Sequence, residues 1–297
     1  MITLAHITDP HLPLAGVRFG ELFSKRVLGW LSWRLNRRHL HRPEALARIV
    51  ADAQAHDPRV IAVTGDVLNI SAAAEYAQGA AWLRRLAGAD GLAFVPGNHD
   101  FYIDRAATRD GKARLTTAHG GAVPEWPWAR AVGNVALIGL DSTHAAPWGE
   151  SSGAVGAPQL ERLAHLLRDC RAKGLCRVVL LHHPPRPGMT KPGKALRDAD
   201  ALEAVVRAAG AELILYGHLH RWRHETLDTA SGVAHILSAP SASMRPDAGS
   251  AAAGWQMIAI GRRQGRWFFD VPRRALAADG ETMRTIETLR LNSERPA

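Results

Sequence analysis

Acidic, amide and imidazole side chains follow five apolar runs of the sequence, each at the point where the run ends. The runs lead into Asp9-Pro10-His11, Gly65-Asp66, Gly97-Asn98-His99-Asp100, His182-His183-Pro184 and Gly217-His218-Leu219-His220. These side chains offer oxygen and nitrogen donors and no thiolate. Imidazole combined with carboxylate suits a first-row transition metal or zinc rather than Ca²⁺ or Mg²⁺, which prefer oxygen donors alone. The residue types therefore point to metal-dependent chemistry.

Two pairs of these donors are spaced two residues apart. Asp9 pairs with His11, and His218 pairs with His220. In an extended chain, side chains two residues apart project to the same side, so the members of each pair can reach one point. Three donors also follow a glycine, which should let the backbone turn sharply without Cβ strain. These glycines are Gly65, Gly97 and Gly217.

The number of donors predicts how many ions they hold. Seven candidate ligands are too many for one metal that must also keep a position open, whereas two ions sharing a bridging carboxylate use them all. The candidates are Asp9, His11, Asp66, Asn98, His182, His218 and His220. We therefore expect two divalent or mixed-valence ions, chosen among Fe, Mn and Zn.

Strand-like and helical segments alternate around these donors, which predicts an α/β fold. The apolar runs span residues 2–8, 59–64, 91–95, 134–140, 177–181 and 212–216, and amphipathic helical patterns lie between most of them. In open α/β sheets, sites form beyond the carboxyl ends of the strands, so the donors should converge at one edge. After residue 220 the pattern changes to short strands joined by turns, which indicates a second, mixed sheet.

Composition limits the class of protein. The chain has 297 residues, of which 46% are hydrophobic, and a formal net charge of +9. The positive charge favours an anionic partner, which could be nucleic acid, a phosphate-bearing metabolite or an acidic membrane surface. No nucleic-acid-binding motif accompanies the basic residues, so we expect no specific nucleic acid. No apolar run is long enough to span a membrane, and no secretory leader opens the sequence, so the expected location is the cytoplasm.

The ordered motifs DxH, GD, GNHD, HHP and GHLH resemble those of the calcineurin-like metallophosphoesterase superfamily. The short form here is most similar to the bacterial cyclic-nucleotide phosphodiesterase branch, and the resemblance covers residues 2 to about 240. It implies a four-layer α/β/β/α sandwich with two mixed sheets. We expect one metallophosphoesterase domain over residues 1–271, with an insertion at about 13–42, and a polar, partly ordered tail over residues 272–297.

The resemblance also implies a role for each donor. Asp9, His11 and His220 would hold one metal, Asn98, His182 and His218 the other, and Asp66 would bridge them. The expected catalytic residues are His99 and Asp100. The expected substrate contacts are His11, Asn98, His99 and His220.

Three residues beside the predicted ligands have their own expectations. His99 should face the phosphate and protonate or hydrogen-bond the leaving oxygen. Asp100 should orient His99 or its loop. His183 is either a substrate contact or a packing residue, and Asp141, at the end of another strand, is a turn or supporting residue.

The expected reaction is hydrolysis of a phosphodiester, with a monoester as the alternative bond type. A 3′,5′-cyclic nucleotide is the first choice of substrate. A glycerophosphodiester or another lipid-derived ester is the alternative, and a metal-free scaffold of the same fold is the alternative without enzymatic activity. The segments GDVLNIS and GNHD depart from the pattern of Ser/Thr protein phosphatases, which disfavours that activity.

The insertion carries Trp30, Trp33 and several basic residues. Its apolar positions 19, 22, 23, 27, 30 and 31 follow helical spacing, which predicts a short helical cap packed on the protein. Contact with a membrane surface through residues 19–42 is the less favoured alternative. Arg34, Arg37 and Arg38 should lie near the mouth of the site and attract an anionic substrate.

Overall fold

Two six-stranded mixed sheets face each other in the computed structural model, which describes residues 1–118, 122–123 and 125–294. The strands are β1 (Ile2–Ile7), β2 (Val60–Val63), β3 (Leu92–Phe94), β4 (Trp128–Val132), β5 (Val135–Gly139), β6 (Cys176–Leu180), β7 (Leu213–Tyr216), β8 (Arg223–Thr229), β9 (Gly232–Ser238), β10 (Gly254–Arg263), β11 (Arg266–Leu276) and β12 (Met283–Asn292).

The order of strands places β1 at the junction of two kinds of pairing. The first sheet runs β12-β11-β10-β1-β2-β3, with β1, β2 and β3 parallel and β10 antiparallel to β1. The second sheet runs β4-β5-β6-β7-β9-β8, and its parallel strands are β5, β6, β7 and β9. Parallel strands direct their carboxyl ends to a common edge, which is where the predicted donors lie.

The described residues form seven α-helices, four of which cover the outer faces of the sheets. They are α1 (Arg26–Ser32), α2 (Arg38–Leu40), α3 (Pro43–Ala55), α4 (Ala73–Leu86), α5 (Ala106–Thr116), α6 (Ala157–Ala172) and α7 (Ala199–Ala209). Short 3-10 turns span Phe19–Leu22, Ala89–Gly91, Pro192–Lys194 and Gly249–Ala251, and a π-helical turn spans Trp33–Arg37.

Three apolar clusters hold these layers together. One packs α3 and α4 on the first sheet, a second packs α6 and α7 on the other sheet, and the third lies between the sheets. The expected four-layer α/β/β/α sandwich is confirmed. Strands β2 and β7 are buried along their whole length, which explains why their sequences are continuous apolar runs without alternation.

The predicted polar tail over residues 272–297 is wrong for most of its length. Strand β11 continues to Leu276, and β12 pairs antiparallel with it along the edge of the first sheet. Most residues of β12 are exposed, because an edge strand with one solvated face needs few apolar side chains. Its composition therefore resembled that of a tail.

The insertion is helical, as expected, but its orientation differs from the prediction. Phe19, Phe23 and Leu31 are exposed, although their spacing predicted an inward face. The buried positions of α1 are Arg26 and Gly29. Within the described part of the chain, no helix combines the length and the apolar character needed to cross a bilayer.

Candidate metal centre

All seven predicted ligands lie at the carboxyl edge of the two sheets. Asp9 and His11 follow β1, Asp66 follows β2, and Asn98 follows β3; His182 follows β6, and His218 and His220 follow β7. The turns after β1, β2 and β3 bring donors from the first sheet against donors from the second. The structure thus joins residues that are more than 200 positions apart in sequence, such as His11 and His220.

The backbone at these positions adopts a conformation that L-residues rarely take. In the described part of the chain, eight non-glycine residues have a positive φ, and five of them are predicted ligands. These five are Asp9 (φ 50°), His11 (36°), Asp66 (56°), His218 (68°) and His220 (51°). Left-handed conformation costs about 1–3 kcal/mol per residue and concentrates at functional sites, because the surrounding fold must enforce it.

The glycines before the ligands serve a different purpose from the one expected. Only Gly65 has a positive φ, of 89°. Gly97 and Gly217 instead provide space, because a Cβ at Gly97 would collide with Asp66 and one at Gly217 with Thr8. The sharp turn is therefore made largely by the ligands themselves, and the glycines allow neighbouring segments to approach closely.

The first donor group surrounds Asp9. His220 Nε2 lies 3.1 Å from Asp9 Oδ1 and 3.4 Å from His11 Nε2. His11 Nδ1 donates to the carbonyl oxygen of Leu68 at 3.1 Å, which leaves Nε2 as the free lone pair of the imidazole. Asp9, His11 and Asp66 have donor atoms within 4.8 Å of one another.

The second donor group surrounds His182. Its Nδ1 donates to the carbonyl oxygen of Thr64 at 2.7 Å, so its Nε2 is directed at the site. That Nε2 lies 3.4 Å from Asp66 Oδ2, 3.2 Å from Asn98 Oδ1 and 3.2 Å from His218 Nδ1. Asp66 therefore belongs to both groups, as expected for a bridging carboxylate.

Electrostatics indicate that these groups suit cations. Burial lowers the pKa of a histidine, yet the carboxylates of Asp66 and Asp9 raise the pKa of His182 to about 9. Among the described residues, His218 Nε2 is buried without a hydrogen-bond partner. The carboxylates favour positive charge on the His182 imidazole, and His218 Nε2 is a buried nitrogen without a partner. Both features are expected where metal ions bind.

His99 lies beside the donor groups and faces the same pocket. Its backbone N–H donates to Asp66 Oδ1 at 2.7 Å, and its Nδ1 lies 2.5 Å from the carbonyl oxygen of Asn69. Because a carbonyl only accepts, Nδ1 carries the proton and Nε2 faces Arg37. Burial and the Arg37 guanidinium lower the pKa of His99 to about 4.

Asp100 does not reach the pocket, which corrects its expected place among the catalytic residues. Its carboxylate is fully buried and accepts three backbone N–H bonds, from Asp66, Leu68 and Gly97, each at 2.9 Å. Burial, together with the carboxylate of Asp66, raises the pKa of Asp100 to about 7. Its contacts tie the loop after β3 to the loop after β2, so it orients the loop.

Two other expectations are resolved by hydrogen bonds. His183 is fully buried, with Nδ1 2.8 Å from Ser142 Oγ and Nε2 3.2 Å from the carbonyl oxygen of Ser151, so it is a packing residue. Asp141 accepts from the backbone N–H of Thr143 and pairs with Lys112 at 2.7 Å, so it is a turn residue.

The structure adds His41, which the sequence analysis missed. His41 belongs to a group with His11 and His220 whose donor atoms lie within 4.8 Å of one another. Its Nδ1 lies 2.8 Å from Ser243 Oγ, which directs its other nitrogen elsewhere. No strand-end motif marks it, because it sits at the end of the insertion.

Arg37 is the one arginine of the predicted trio that lines the pocket. Its Nη1 lies 3.1 Å from each ring nitrogen of His99, and its Nη2 donates to the carbonyl oxygen of Gly29 at 3.2 Å. Its Nε is buried without a partner among the described residues. Arg34 and Arg38 are exposed.

A cavity of about 470 Å³ opens over the donor groups. The four expected substrate contacts, His11, Asn98, His99 and His220, all line it. Basic side chains line the same cavity, namely Arg37, Lys191, Lys194 and Arg221. The cavity is thus suited to an anionic ligand of small-molecule size.

Comparison with known proteins agrees with this arrangement. Residues 2–222 match the calcineurin-like phosphoesterase family. A cAMP/cGMP dual specificity phosphodiesterase from Mycobacterium tuberculosis is 33% identical over 225 residues, covering 73% of this chain. The chain spans 61% of the length of that relative.

Solved structures share the fold. A dimetal phosphatase from Danio rerio superposes with a TM-score of 0.66 at 14% identity and covers 99% of both chains. A purple acid phosphatase from yellow lupin seeds has a TM-score of 0.57 at 10% identity, covering 99% of this chain and 54% of that one. On the family match and the mycobacterial relative, the chain belongs to the calcineurin-like phosphoesterase family, a class of metal-dependent phosphoester hydrolases.

Proposed function

We propose that the chain is a binuclear metal-dependent phosphodiesterase acting on a small anionic phosphodiester. The observation that carries this proposal is that two donor groups sharing Asp66 lie in one pocket with Arg37. No carboxylate among the described residues hydrogen-bonds this arginine. Nitrogen and oxygen donors in that pattern bind cations, and a desolvated guanidinium binds an anion. Phosphoester hydrolysis needs both.

The donor groups divide between two cations. Asp9, His11 and His220 would hold one and Asn98, His182 and His218 the other, with Asp66 shared. Bound there, Fe, Mn or Zn would supply Lewis acidity that neutralises phosphoryl oxygens and makes water a better nucleophile near neutral pH.

The remaining pocket residues act on the phosphate itself. Arg37 is placed to hydrogen-bond a phosphoryl oxygen, since its guanidinium lines the pocket. His99 Nε2 lies beside Arg37 in the same space. After taking up a proton, this nitrogen would hydrogen-bond the leaving oxygen. Asp100 keeps the loop of His99 in place through its three backbone contacts.

A 3′,5′-cyclic nucleotide is the favoured substrate. The cavity volume and the basic lining suit a molecule with one phosphate and a compact organic group. The similarity to a relative named for cAMP and cGMP adds to this choice.

A substrate and metal panel tests the proposal. Purified metal-free protein would be supplied separately with Mn, Fe or Zn and assayed with cyclic nucleotides, glycerophosphodiesters and phosphomonoesters. We expect metal-dependent release of nucleoside monophosphate from the cyclic nucleotides. Failure to bind any of the three metals by elemental analysis would instead favour the metal-free scaffold, and turnover of monoesters alone would contradict the diester assignment.

A lipid-derived phosphodiester is the second candidate. The observation that favours it is the exposed apolar side of the insertion that carries Arg37, including Phe19 and Phe23. Glycerophosphodiester turnover exceeding that of cyclic nucleotides in the same panel would select it.

A further inference from the structure

Residues 18–42 of the insertion are anchored to the rest of the protein by polar side chains. Lys25 donates to the carbonyl oxygen of Ala146 at 2.8 Å. Arg26 is buried and donates to the carbonyl oxygens of Ile70 and Ser71 at 3.0 and 2.5 Å. These contacts fix which side of the segment faces inward.

Close packing reinforces this anchoring. A Cβ at Gly29 would lie 2.7 Å from Ile70 Cγ2 and 3.0 Å from the Tyr102 hydroxyl, so the helix backbone itself rests on the protein. Arg37, farther along, donates back to the carbonyl oxygen of Gly29. The segment is seated at several points, and its outward side is fixed as a result.

Large apolar side chains occupy that outward side. We call them the apolar outer face; they are Phe19, Phe23, Leu28, Leu31 and Leu35, with exposures of 77%, 73%, 42%, 41% and 68%. They account for five of the nine exposed large hydrophobic residues in the described chain, within 17 positions. Clustered exposure of this kind marks a contact surface, whereas single exposed apolar residues are ordinary.

The apolar outer face has two parts. Leu28, Leu31 and Leu35 are three and four residues apart and share one side of the helix. Phe19 and Phe23 pack edge to face, with ring centroids 5.3 Å apart. The face therefore consists of a row of leucines and the aromatic pair that precedes it in the chain.

Exposed arginines lie in the same segment as the apolar outer face. Arg18, Arg34, Arg38 and Arg42 are exposed, and Arg34 stacks over Trp30 with its guanidinium carbon 5.3 Å from the ring centroid. Glu21 is the one acidic residue between positions 18 and 42, and its carboxylate accepts from the backbone N–H groups of Arg18 and Ala73. Apolar and aromatic side chains rimmed by arginine, with no free acidic group, are complementary to an anionic lipid surface.

We infer that the apolar outer face docks the protein on the surface of a bilayer containing anionic phospholipid. The apolar side chains enter the interface while the arginines contact the headgroups. The same helical segment places Arg37 in the wall of the pocket, so the docked protein holds its site beside the lipid surface. The inference stands apart from the choice of substrate.

Vesicle sedimentation tests the inference. The full chain would be mixed with phosphatidylcholine vesicles, with and without phosphatidylglycerol at roughly a quarter of the lipid. We expect sedimentation with the anionic vesicles and release at about 0.5 M salt, where charge attraction is screened. The variant Phe19→Ser, Phe23→Ser, Leu35→Ser should lose binding by about tenfold or more, since its apolar contact is removed.

A matched control separates this face from general surface hydrophobicity. The double variant Val123→Ser, Ile286→Ser removes two exposed apolar side chains elsewhere, with exposures of 57% and 53%, and should bind vesicles as the wild type does. Both variants should keep the wild-type circular dichroism spectrum and the wild-type turnover of a water-soluble diester, which shows that they fold.

Two results would overturn the inference. One is the absence of vesicle binding by the wild type, or equal binding by the triple variant. The other is a wild-type dimer that becomes a monomer in the triple variant while vesicle binding is unchanged, which would assign the face to a second copy of the chain.

Discussion

Neighbouring residues of the GNHD segment perform separate tasks because the turn after β3 aims their side chains differently. Asn98 Oδ1 points to His182, His99 faces Arg37, and Asp100 turns back to bind backbone amides. Only the first two line the pocket. A variant at each position should therefore fail in a different way.

The first prediction separates metal binding from catalysis. His99→Ala should keep near-wild-type metal content and lose about 10²-fold or more in kcat, the range for loss of a general acid. Asp66→Asn should lose metal, because the shared carboxylate is replaced by a neutral amide. Elemental analysis and steady-state kinetics measure both. A metal-depleted His99→Ala beside a fully loaded Asp66→Asn would reverse the assignment.

The second prediction concerns the left-handed backbone of the ligands. His220→Ala and His220→Gly both remove the imidazole, but only glycine adopts a φ near 51° without strain. The glycine variant should be more stable than the alanine variant by about 1 kcal/mol. Urea unfolding of the two metal-free proteins gives the difference. Equal stabilities would mean that the surrounding loop relaxes in the alanine variant.

At the scale of elements, the insertion carries two distinct surfaces on one helical segment. Arg37 lines the pocket, whereas Arg34, three residues earlier, is exposed and lies over the Trp30 ring. From the sequence, Arg34, Arg37 and Arg38 were expected to lie together near the mouth of the site. In the structure, Arg37 lines the pocket, and Arg34 and Arg38 are exposed to solvent.

A third prediction follows from that separation. Arg37→Ala should raise KM for the anionic substrate by about 10-fold or more, the effect of losing a charged hydrogen bond, and should weaken the salt dependence of KM. Arg34→Ala, the matched control on the same helix, should change KM by less than about twofold, since an exposed charge is screened. Thermal melts check that Arg37→Ala retains its fold. Equal KM values for both variants would place Arg37 outside the substrate's reach.

The sequence predicted the elements that bury apolar residues and the turns that carry donors. Strands such as β2 and β7 are continuous apolar runs, so their ends could be located in the sequence. The motif after each strand is short, and the end of each run was therefore enough to predict that the ligands lie together. The direction of the insertion was not predictable from periodicity, because Arg26 is buried by hydrogen bonds to backbone carbonyls rather than by its polarity. The edge strand β12 was not predicted, because it buries few apolar side chains and its sequence therefore lacks a clear strand pattern.

Within the site, residue types predicted the ligands but not their supports. His41 contacts Ser243, and the backbone carbonyl of Asn69 accepts from His99. Neither residue belongs to a predicted ligand motif, and both contacts exist only in the folded chain. The assignment of particular ligands to particular ions stays a prediction.

For the whole molecule, buried histidines outside the site link stability to pH. His6, fully buried in β1, accepts from Gln256 through Nδ1 and lies 2.9 Å from Thr64 Oγ1 through Nε2. Both nitrogens are used in the neutral form. Burial lowers the pKa of His6 to about 3, against about 6.5 in an unfolded chain.

The fourth prediction gives the sign of that linkage. Between about pH 6.5 and 3 the unfolded state binds more protons, so the free energy of unfolding falls as the pH falls, by at most about 1.4 kcal/mol per pH unit from this residue. In His6→Gln this slope should become shallower, while the exposed His165→Gln should leave it unchanged. Denaturant unfolding of the metal-free proteins across this range measures it. An unaltered slope in His6→Gln would show that His6 is not neutral when folded.

The position of β1 also governs the order in which the protein matures. Its partner β10 is paired from Ile2 to Ile260, so nearly the entire chain separates them. At typical rates of synthesis, β1 leaves the ribosome roughly ten to fifty seconds before its antiparallel neighbour exists. During that interval Asp9 and His11 project from a strand with one open edge, and His218 and His220 are untranslated for most of it. The predicted ligand set is therefore completed late in synthesis, since two of its seven residues, His218 and His220, are translated only after position 217.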